Sequence, residues 1–395
     1  MTSTARPSRP RQRRRRPWWQ RLRWDRLAIV VTPVVLLLVT LVALGGTDTN
    51  ARAAKATKST TTTTWRAGRT NCTDSNALDR HQKLAQLVMP ALDSPSATEV
   101  GALTQRSDRP GGLLFLSMQD GDERAGVAAQ LNAYPGLAAV DDEGGRVNRF
   151  GVSSFPSARR QELSLSLQQI RALAKSRAMD MVTRGLNLDF APVVDVSSEP
   201  DKGPIGDRSY SDDPQSVVRN AGAFADGLRD GAVLPVLKHF PGHGSASGDS
   251  HTAVVTTPPF AQLRGKDLIP YEALTHAGPV GVMVGHLDVP GLTETGTPAS
   301  LSPATYRYLR EKVGFTGLAV TDDLGTMKAV TTRLSTPDAA VEALVAGADL
   351  VIIGPAGSYD SVLARLDAAS ASGELPAGRV DEAFSRMRIA QGCPA

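Results

Sequence analysis

Short apolar segments alternate with longer amphipathic ones through most of the chain. Seven of the short segments are continuous runs rich in Val, Ile and Leu, and they span residues 111–116, 137–145, 186–196, 232–240, 281–290, 317–324 and 349–355. Continuous apolar runs, as opposed to alternating ones, are typical of parallel strands covered on both faces. A further strand is predicted around residues 87–92, so the pattern indicates eight strands.

The stretches between these strands carry helix start and stop signals. Three of them begin with a polar residue followed by Pro and close on Gly, from Asp213-Pro214 to Gly231, from Ser302-Pro303 to Gly314 and from Thr336-Pro337 to Gly347. A last helix is predicted around residues 380–391. Strands joined by right-handed helical crossovers predict a single (β/α)8 TIM-barrel-like domain, with an open, doubly wound sheet as the alternative.

Polar and glycine-rich residues follow the C-terminal ends of several strands, at residues 141–146, Asp195, residues 238–251, His286 and residues 322–323. A barrel enzyme places its chemistry at this end of all its strands. An open sheet would gather its site at one switch point instead. The spread of polar residues therefore favours the barrel.

The N-terminus has a different character. Residues 27–44 are an uncharged apolar run of 18 residues, and the first 26 residues contain ten Arg and one acid, Asp25. This pattern predicts an Arg-rich cytoplasmic tail over residues 1–26 and a transmembrane helix over residues 27–46, with the rest of the chain outside the cytoplasm. A cleaved secretory signal is the alternative, since small residues at 51–56 could serve a peptidase.

A Thr/Ser-rich flexible linker is predicted over residues 47–71, and the catalytic domain over residues 72–395. The two parts differ in charge: residues 1–71 hold 15 basic and two acidic residues, which leaves 29 basic and 38 acidic residues, a formal charge of −9, in the domain. The sequence pI near 9.1 thus reflects the tail. The acidic balance of the domain removes the main reason to propose nucleic-acid binding, which needs clustered Lys and Arg on the binding domain itself.

Two cysteines stand near the ends of the domain, Cys72 and Cys393. Outside the cytoplasm they can pair, and we expect a disulfide that joins both ends of the barrel. A reactive thiol is the alternative, but neither Cys has an activating pattern beside it.

Residues 238–251 hold three of the six histidines in one segment, KHFPGHGSASGDSH. A metal site at His239 and His243 is disfavoured because Pro241 and Gly242 interrupt the helix that would place them on one face. A phosphate loop is disfavoured because no helix follows. Two interpretations stay open: a mobile loop in which Asp249 tunes His251 for proton transfer, or a solvated surface loop.

Two groups of carboxylates are also candidates. Residues 322–323 end a strand, where an Asp can act as a nucleophile, a general base or a helix cap. Residues 141–146 combine three acids with two glycines, which suits hydrogen bonding to sugar hydroxyls but equally suits a solvated turn.

The order of six segments decides between these alternatives. The chain contains, in sequence, VDDEGGRVNRF, NLDFAPVVDV, IGDRSYSDDP, KHFPGHGSASGDSH, GHLDVP and GFTGLAVTDDLGTMKAV. These resemble the signature segments of glycoside hydrolase family 3, and most closely those of its bacterial β-N-acetylglucosaminidase branch. The resemblance covers nearly all of residues 76–392.

The resemblance implies roles for particular residues. Asp322 corresponds to the nucleophile, His251 to the general acid/base and Asp249 to its partner, while Asp323 is structural. The expected sugar-binding residues are Asp141, Arg146, Arg208, Lys238 and His239, with His286 as a further contact near the site. The chemistry requires no metal and no cofactor.

The resemblance further implies a retaining exo-β-N-acetylglucosaminidase. Such an enzyme would release the non-reducing terminal GlcNAc of peptidoglycan fragments (muropeptides) through a covalent glycosyl-aspartate. A phosphorylase that sends the same intermediate to phosphate is one alternative. A non-catalytic, membrane-tethered wall-binding protein is another, but a pure binder would not need Asp322, Asp249 and His251. A β-glucosidase specificity is disfavoured by the KHFPGHG and DSH segments.

Overall fold

The computed structural model describes Cys72 and residues 77–118, 123–150, 155–246 and 248–394. The predicted cytoplasmic tail, membrane segment and linker, residues 1–71, lie outside these described residues. None of the helices within the described ranges is long and apolar enough to cross a membrane.

Eight parallel strands close into a barrel in the order β1-β2-β3-β4-β5-β7-β9-β10. They are β1 (Val88–Leu92), β2 (Gly112–Phe115), β3 (Leu137–Val140), β4 (Leu188–Asp189), β5 (Leu234–Phe240), β7 (Gly281–Val284), β9 (Ala319–Asp323) and β10 (Leu350–Ile353). The first and last strands pair directly, with Val88 opposite Val351 and Pro90 opposite Ile353. This closure confirms the predicted (β/α)8 barrel and excludes the open sheet.

The strands are shorter than the apolar runs that predicted them. Residues 186–196 give the two-residue strand β4, because the run continues into Ala191-Pro192 and a proline cannot donate to a ladder. Residues 281–290 give β7 and then β8 (Leu287–Asp288), which leaves the barrel and pairs with β6 (Val255–Thr256). The polar ends of these runs are thereby released from the ladder and become loops around the barrel mouth.

Helices pack around the barrel. They are α1 (Arg80–Ala85), α2 (Ala97–Thr104), α3 (Glu123–Ala133), α4 (Ala158–Ser164), α5 (Leu167–Thr183), α6 (Pro214–Asp230), α7 (Phe260–Arg264), α8 (Ile269–Leu274), α9 (Pro303–Glu311), α10 (Lys328–Thr331), α11 (Thr336–Ala346), α12 (Tyr359–Ser372) and α13 (Ala377–Ala390). Asp213 caps α6 as predicted, since its carboxylate accepts the backbone N–H groups of Gln215 and Ser216 at 3.1 and 3.0 Å. For α11 the cap is Ser335, one residue earlier than predicted.

A buried carboxylate fastens α13 to the N-terminal end of the barrel. Asp349, which precedes β10, is fully buried. Its Oδ1 accepts hydrogen bonds from Arg379 at 2.7 Å and Arg386 at 3.1 Å, both on α13. Its Oδ2 accepts from Arg310 of α9 at 2.6 Å and from the N–H of Ala319 at 2.9 Å. One carboxylate therefore joins two helices to the start of β9.

The predicted disulfide is confirmed. Cys72 and Cys393 are bonded, with their Cα atoms 5.7 Å apart and 321 positions apart in sequence. Next to it, Gln391 donates to the carbonyl of Gly111, just before β2, at 3.3 Å. The disulfide thus lies on the face of the barrel where the strands begin.

Candidate active site

The two acids that end β9 have different surroundings. The carboxylate of Asp323 accepts the backbone N–H groups of Gly325 at 2.8 Å and Gly354 at 2.9 Å, and the hydroxyl of Thr326. A Cβ at Gly325 would lie 1.7 Å from the carbonyl oxygen of Gly354, so this approach requires glycine. Asp323 therefore holds the ends of β9 and β10 together, which agrees with its expected structural role.

Asp322 keeps more of its carboxylate available. Among the described residues, its Oδ1 accepts one hydrogen bond, from the N–H of Asp323 at 3.0 Å. Burial alone would raise its pKa, but His239, His286 and His251, together with that N–H, lower the pKa to about 2. Asp322 is consequently ionised at neutral pH, as a nucleophile must be.

The second catalytic candidate lies on the loop after β5. The Nδ1 of His251 lies 2.8 Å from Oδ1 of Asp249, which also accepts the His251 backbone N–H at 3.0 Å. These hydrogen bonds outweigh burial and lower the pKa of Asp249. The His251 side chain is 66% exposed, and with Nδ1 donating to Asp249 its Nε2 faces the solvent side. An ionised partner on Nδ1 suits an imidazole that gives and takes a proton at Nε2.

The buried residue His243 links the loop that carries His251 to the barrel. Nε2 of His243 lies 3.3 Å from the hydroxyl of Ser250, and both residues are buried. The backbone N–H of His243 in turn donates to Asp195 at 2.7 Å. Burial lowers the pKa of His243, and its ring shares a hydrogen bond with the residue next to His251.

Asp195 organises the end of β5. Its Oδ2 accepts from Nδ1 of His239 at 2.7 Å, and its Oδ1 accepts the His239 backbone N–H at 3.2 Å. Although Asp195 is fully buried, His239 and the backbone N–H of His243 keep the pKa of this carboxyl low. Nε2 of His239 therefore points the other way, 3.4 Å from Arg208. Asp195 was predicted only as a polar strand end, because its partners are more than 40 residues away.

Two cations and two carboxylates form a network on the other side of the site. Lys238 Nζ donates to Asp141 at 2.5 Å and to Glu143 at 2.6 Å. Arg208 donates to Glu143 through Nε and Nη2, both at 2.7 Å. Burial opposes the charged form of Glu143, but Arg208 and Lys238 hold its pKa well below the usual range. Three of the expected sugar-binding side chains, Asp141, Arg208 and Lys238, are thus brought together. Glu143 lies between them; it belongs to the acidic group at residues 141–146 but had no role of its own in the sequence interpretation.

The two arginines after this carboxylate cluster face different surroundings. Arg146 donates to backbone carbonyls of the loop over residues 201–205. Arg149 lies against the site instead: its Nη2 is 3.6 Å from Asp141 and its Nε donates to the Asp141 carbonyl at 3.2 Å. The expected sugar contact of Arg146 stays a prediction, and Arg149 is a residue that the sequence interpretation missed.

His286 is buried and has both ring nitrogens engaged. Nδ1 lies 2.6 Å from the Ser300 hydroxyl, and Nε2 lies 3.0 Å from the Asp323 carbonyl oxygen. Burial lowers its pKa despite the nearby carboxylates of Asp322 and Asp323. The ring thus contacts the last residue of β9, and its expected sugar contact stays a prediction.

The arrangement combines an ionised carboxylate, an exposed histidine-aspartate pair and a cluster of hydrogen-bonding charged groups at one end of the barrel. Within the described ranges, no three His, Cys, Asp or Glu side chains come together in a way that could hold a metal ion. The ionised carboxylate can act as a nucleophile, the histidine-aspartate pair can transfer a proton, and the charged cluster can bind hydroxyl groups.

Comparisons with known proteins identify the family of this chain. Residues 81–390 match the family profile described as the glycosyl hydrolase family 3 N terminal domain. The β-hexosaminidase LpqI of Mycobacterium tuberculosis is 44% identical over 328 residues, which cover 80% of this chain and 83% of that protein.

Two solved structures are also similar. A family 3 glycosyl hydrolase from Mycobacterium smegmatis has a TM-score of 0.75 and 45% identity, and the match covers 80% of this chain and 98% of that one. A family 3 β-N-acetylglucosaminidase from Paenibacillus has a TM-score of 0.74 and 29% identity, with 81% and 64% covered. These matches confirm the family that the signature segments predicted, and the chain belongs to glycosyl hydrolase family 3.

Proposed function

We propose that this protein is a retaining exo-β-N-acetylglucosaminidase that releases non-reducing terminal GlcNAc from peptidoglycan fragments through a covalent glycosyl-Asp322 intermediate. The broader activity, that of a glycoside hydrolase of the β-N-acetylhexosaminidase type, follows from the family and from the named relatives. The retaining course, the intermediate and the wall-derived substrate are the proposed part.

In the first step Asp322 attacks the anomeric carbon of the bound GlcNAc. The bond to the leaving oxygen breaks as His251 donates its Nε2 proton to that oxygen, which leaves the sugar esterified to Asp322. The carboxylate of Asp249 stabilises the imidazolium form that His251 has before this transfer. Lys238, Arg208 and their carboxylate partners supply hydrogen bonds to the ring substituents.

In the second step a water molecule attacks the anomeric carbon of the glycosyl-Asp322 ester. His251, now neutral, takes the proton of that water, and the Asp322 carboxylate leaves. Two displacements at the same carbon retain the β configuration. The enzyme then returns to its starting protonation state.

The contrast between Asp322 and Asp323 carries this proposal. Three donors occupy the Asp323 carboxylate, whereas that of Asp322 is ionised and accepts one hydrogen bond among the described residues. A carboxylate that is to attack the anomeric carbon must be ionised and must keep lone pairs that no hydrogen bond occupies, at the end of the barrel where the substrate binds.

The first test is hydrolysis of a 4-nitrophenyl β-GlcNAc glycoside by the purified full-length protein. We expect Asp322→Ala to abolish turnover and His251→Ala to lower kcat by about 10²- to 10⁴-fold. His81→Ala, which removes a partly exposed histidine on α1, is the matched control and should retain activity. Wild-type levels in Asp322→Ala would refute the assignment.

The same reaction run with phosphate separates a hydrolase from the phosphorylase alternative. A hydrolase gives free GlcNAc at a rate independent of phosphate, and NMR should show the β-anomer first. Formation of GlcNAc 1-phosphate would overturn the hydrolase. Comparing GlcNAc-MurNAc fragments with chitobiose tests the wall-derived substrate, and preference for chitobiose would contradict it.

We also propose that the catalytic domain acts outside the cytoplasm, anchored by the apolar run at residues 27–44. The disulfide supports an oxidising compartment, and the Arg excess before the run supports a cytoplasmic N-terminus. Membrane fractionation tests the anchor: protein released by salt or recovered in the medium would instead indicate the cleaved signal.

A further inference from the structure

The loop that presents Arg208 to the site has little regular structure of its own. It runs from residue 197 to residue 209, between β4 and α6, and within it the structure contains one short 3-10 turn, Gly206–Arg208. Backbone carbonyl groups in such a segment need hydrogen-bond partners from elsewhere. Two arginines from outside the loop donate to these carbonyl groups, and a glutamate within the loop accepts two of its backbone N–H groups.

Arg146 spans the middle of the loop from the turn after β3. Its Nη1 donates to the carbonyl of Asp201 at 2.9 Å. Its Nη2 lies within hydrogen-bond distance of three successive carbonyls, those of residues 203–205, at 2.7, 2.7 and 3.0 Å. Its Nε is 3.6 Å from the carboxylate of Asp207, directly before Arg208.

Arg159 of α4 holds the two ends of the same loop. It donates to the carbonyls of Glu199 at 2.7 Å and Gly206 at 2.8 Å, and to the carboxylate of Asp201 at 2.8 Å. From inside the loop, the Glu199 carboxylate accepts the N–H groups of Ile205 at 3.0 Å and Gly206 at 3.1 Å. The residues before Arg208 are therefore fixed from both sides.

Arg208 needs this support because its contacts are directional. Its two parallel hydrogen bonds to Glu143 require the loop to present the guanidinium in one plane. Its Nη2 is also 3.4 Å from His239. A shift of the loop would break this alignment at the place where the sugar is expected to bind.

We propose that Arg146 and Arg159 are positioning residues, which act on the reaction through Arg208 by clamping the loop over residues 197–209. The inference rests on the proposed function for its kinetic consequences. It gives Arg146 a role other than direct contact with the sugar. It also gives Arg159 a role that no motif assigned.

Lysine is the informative substitution at both positions. It keeps the positive charge but has one nitrogen, so it cannot reach several carbonyls in a fixed plane as a guanidinium does. Arg146→Lys and Arg159→Lys should each lower kcat/KM for the nitrophenyl β-GlcNAc glycoside by about tenfold or more, because small misplacements in a site are costly. Arg160→Lys, an exposed neighbour on α4, is the matched control and should behave as wild type.

A double-mutant cycle with Arg208→Lys separates positioning from direct contact. If Arg146 and Arg159 act through Arg208, adding either substitution to Arg208→Lys should lower kcat/KM by less than about twofold further. Additive losses would overturn the proposal and show that these arginines act independently of Arg208. Melting temperatures within about 2 °C of the Arg160→Lys control would show that the fold is intact.

Hydrogen exchange tests the clamp without substrate. Amides of residues 197–208 should exchange faster in Arg146→Lys and Arg159→Lys than in wild type or Arg160→Lys, because the open loop is more populated. Unchanged exchange would overturn the clamp. If wild-type protein is inactive on GlcNAc glycosides, the proposed function fails, and hydrogen exchange still decides whether the clamp exists.

Discussion

Opening the disulfide between Cys72 and Cys393 should lower the free energy of unfolding and the Tm, and the length of the loop that it closes sets an upper limit on the loss. The bond closes a loop of about 320 residues, for which the chain-entropy relation gives a stabilisation of about 6 kcal/mol as a ceiling. Measured removals of native disulfides usually fall between about 2 and 5 kcal/mol. With an unfolding entropy of about 2.1 cal/mol/K per residue, a domain of this size should lose about 3 to 7 °C in Tm for that range, and about 9 °C at the ceiling.

The assay is thermal unfolding of Cys72→Ser, Cys393→Ser, the double variant and reduced wild-type protein. Because each change opens the same loop, all four should melt at the same temperature, below that of oxidised wild type. Activity at 25 °C should be unchanged, since the bond lies where the strands begin and the site where they end. A double variant that melts with oxidised wild type would refute the entropy reasoning. Loss of activity in folded protein would refute the separation of the two faces.

Three further predictions concern buried and catalytic groups. Asp349→Asn should lower the free energy of unfolding in urea by about 3 to 5 kcal/mol, because it removes a fully buried negative charge that three partly buried guanidinium groups share; a loss below 1 kcal/mol would contradict the role assigned to this contact. The pKa of Asp322 is lowered to about 2 from 3.8, so its ionised form contributes stability above pH 3.8 that disappears as pH falls toward 2. As the pH is lowered from about 5 to about 2, the free energy of unfolding of wild type should therefore fall more than that of Asp322→Asn. A difference between the two proteins that stays constant over this range would argue against the lowered pKa of Asp322. Ser250→Ala removes the hydrogen bond of His243 next to His251 and should lower kcat several-fold more for GlcNAc-MurNAc than for the nitrophenyl glycoside, whose leaving group needs less protonation; equal losses would mean that His243 does not position the acid.

The barrel could be predicted because its determinants are local. Continuous apolar runs mark strands buried on both faces, and the Asp213-Pro214 and Gly231 signals fix α6. Strand lengths were overestimated where a proline interrupts the ladder, as at Pro192, because apolar composition does not report which residues pair.

The sequence predicts that the candidate site lies at the C-terminal ends of the strands, but sequence spacing alone does not predict the role of each residue in it. Sequence spacing does not distinguish Asp322 from Asp323. The difference between them arises from the backbone path, which directs the Gly325 N–H and the Thr326 hydroxyl to Asp323 and adds the N–H of Gly354, just after β10 and 31 residues later. Arg146 and Arg149 likewise differ through backbone geometry: Gly144 and Gly145 adopt φ of +87° and +61°, and the turn sends the first arginine away from the site. Such directions depend on the tertiary path of the chain, which a linear pattern does not contain.

The placement of Asp349 and the disulfide on the strand-start face has a practical consequence for protein engineering. Loops at the opposite mouth can be exchanged to alter the range of leaving groups without touching the contacts that fasten α13 or the disulfide that joins the two ends of the domain. Conversely, stabilising substitutions around α13 should combine additively with such loop exchanges, since the two sets of residues share no partners. The barrel can therefore be made more robust first and redirected to new glycosides afterwards.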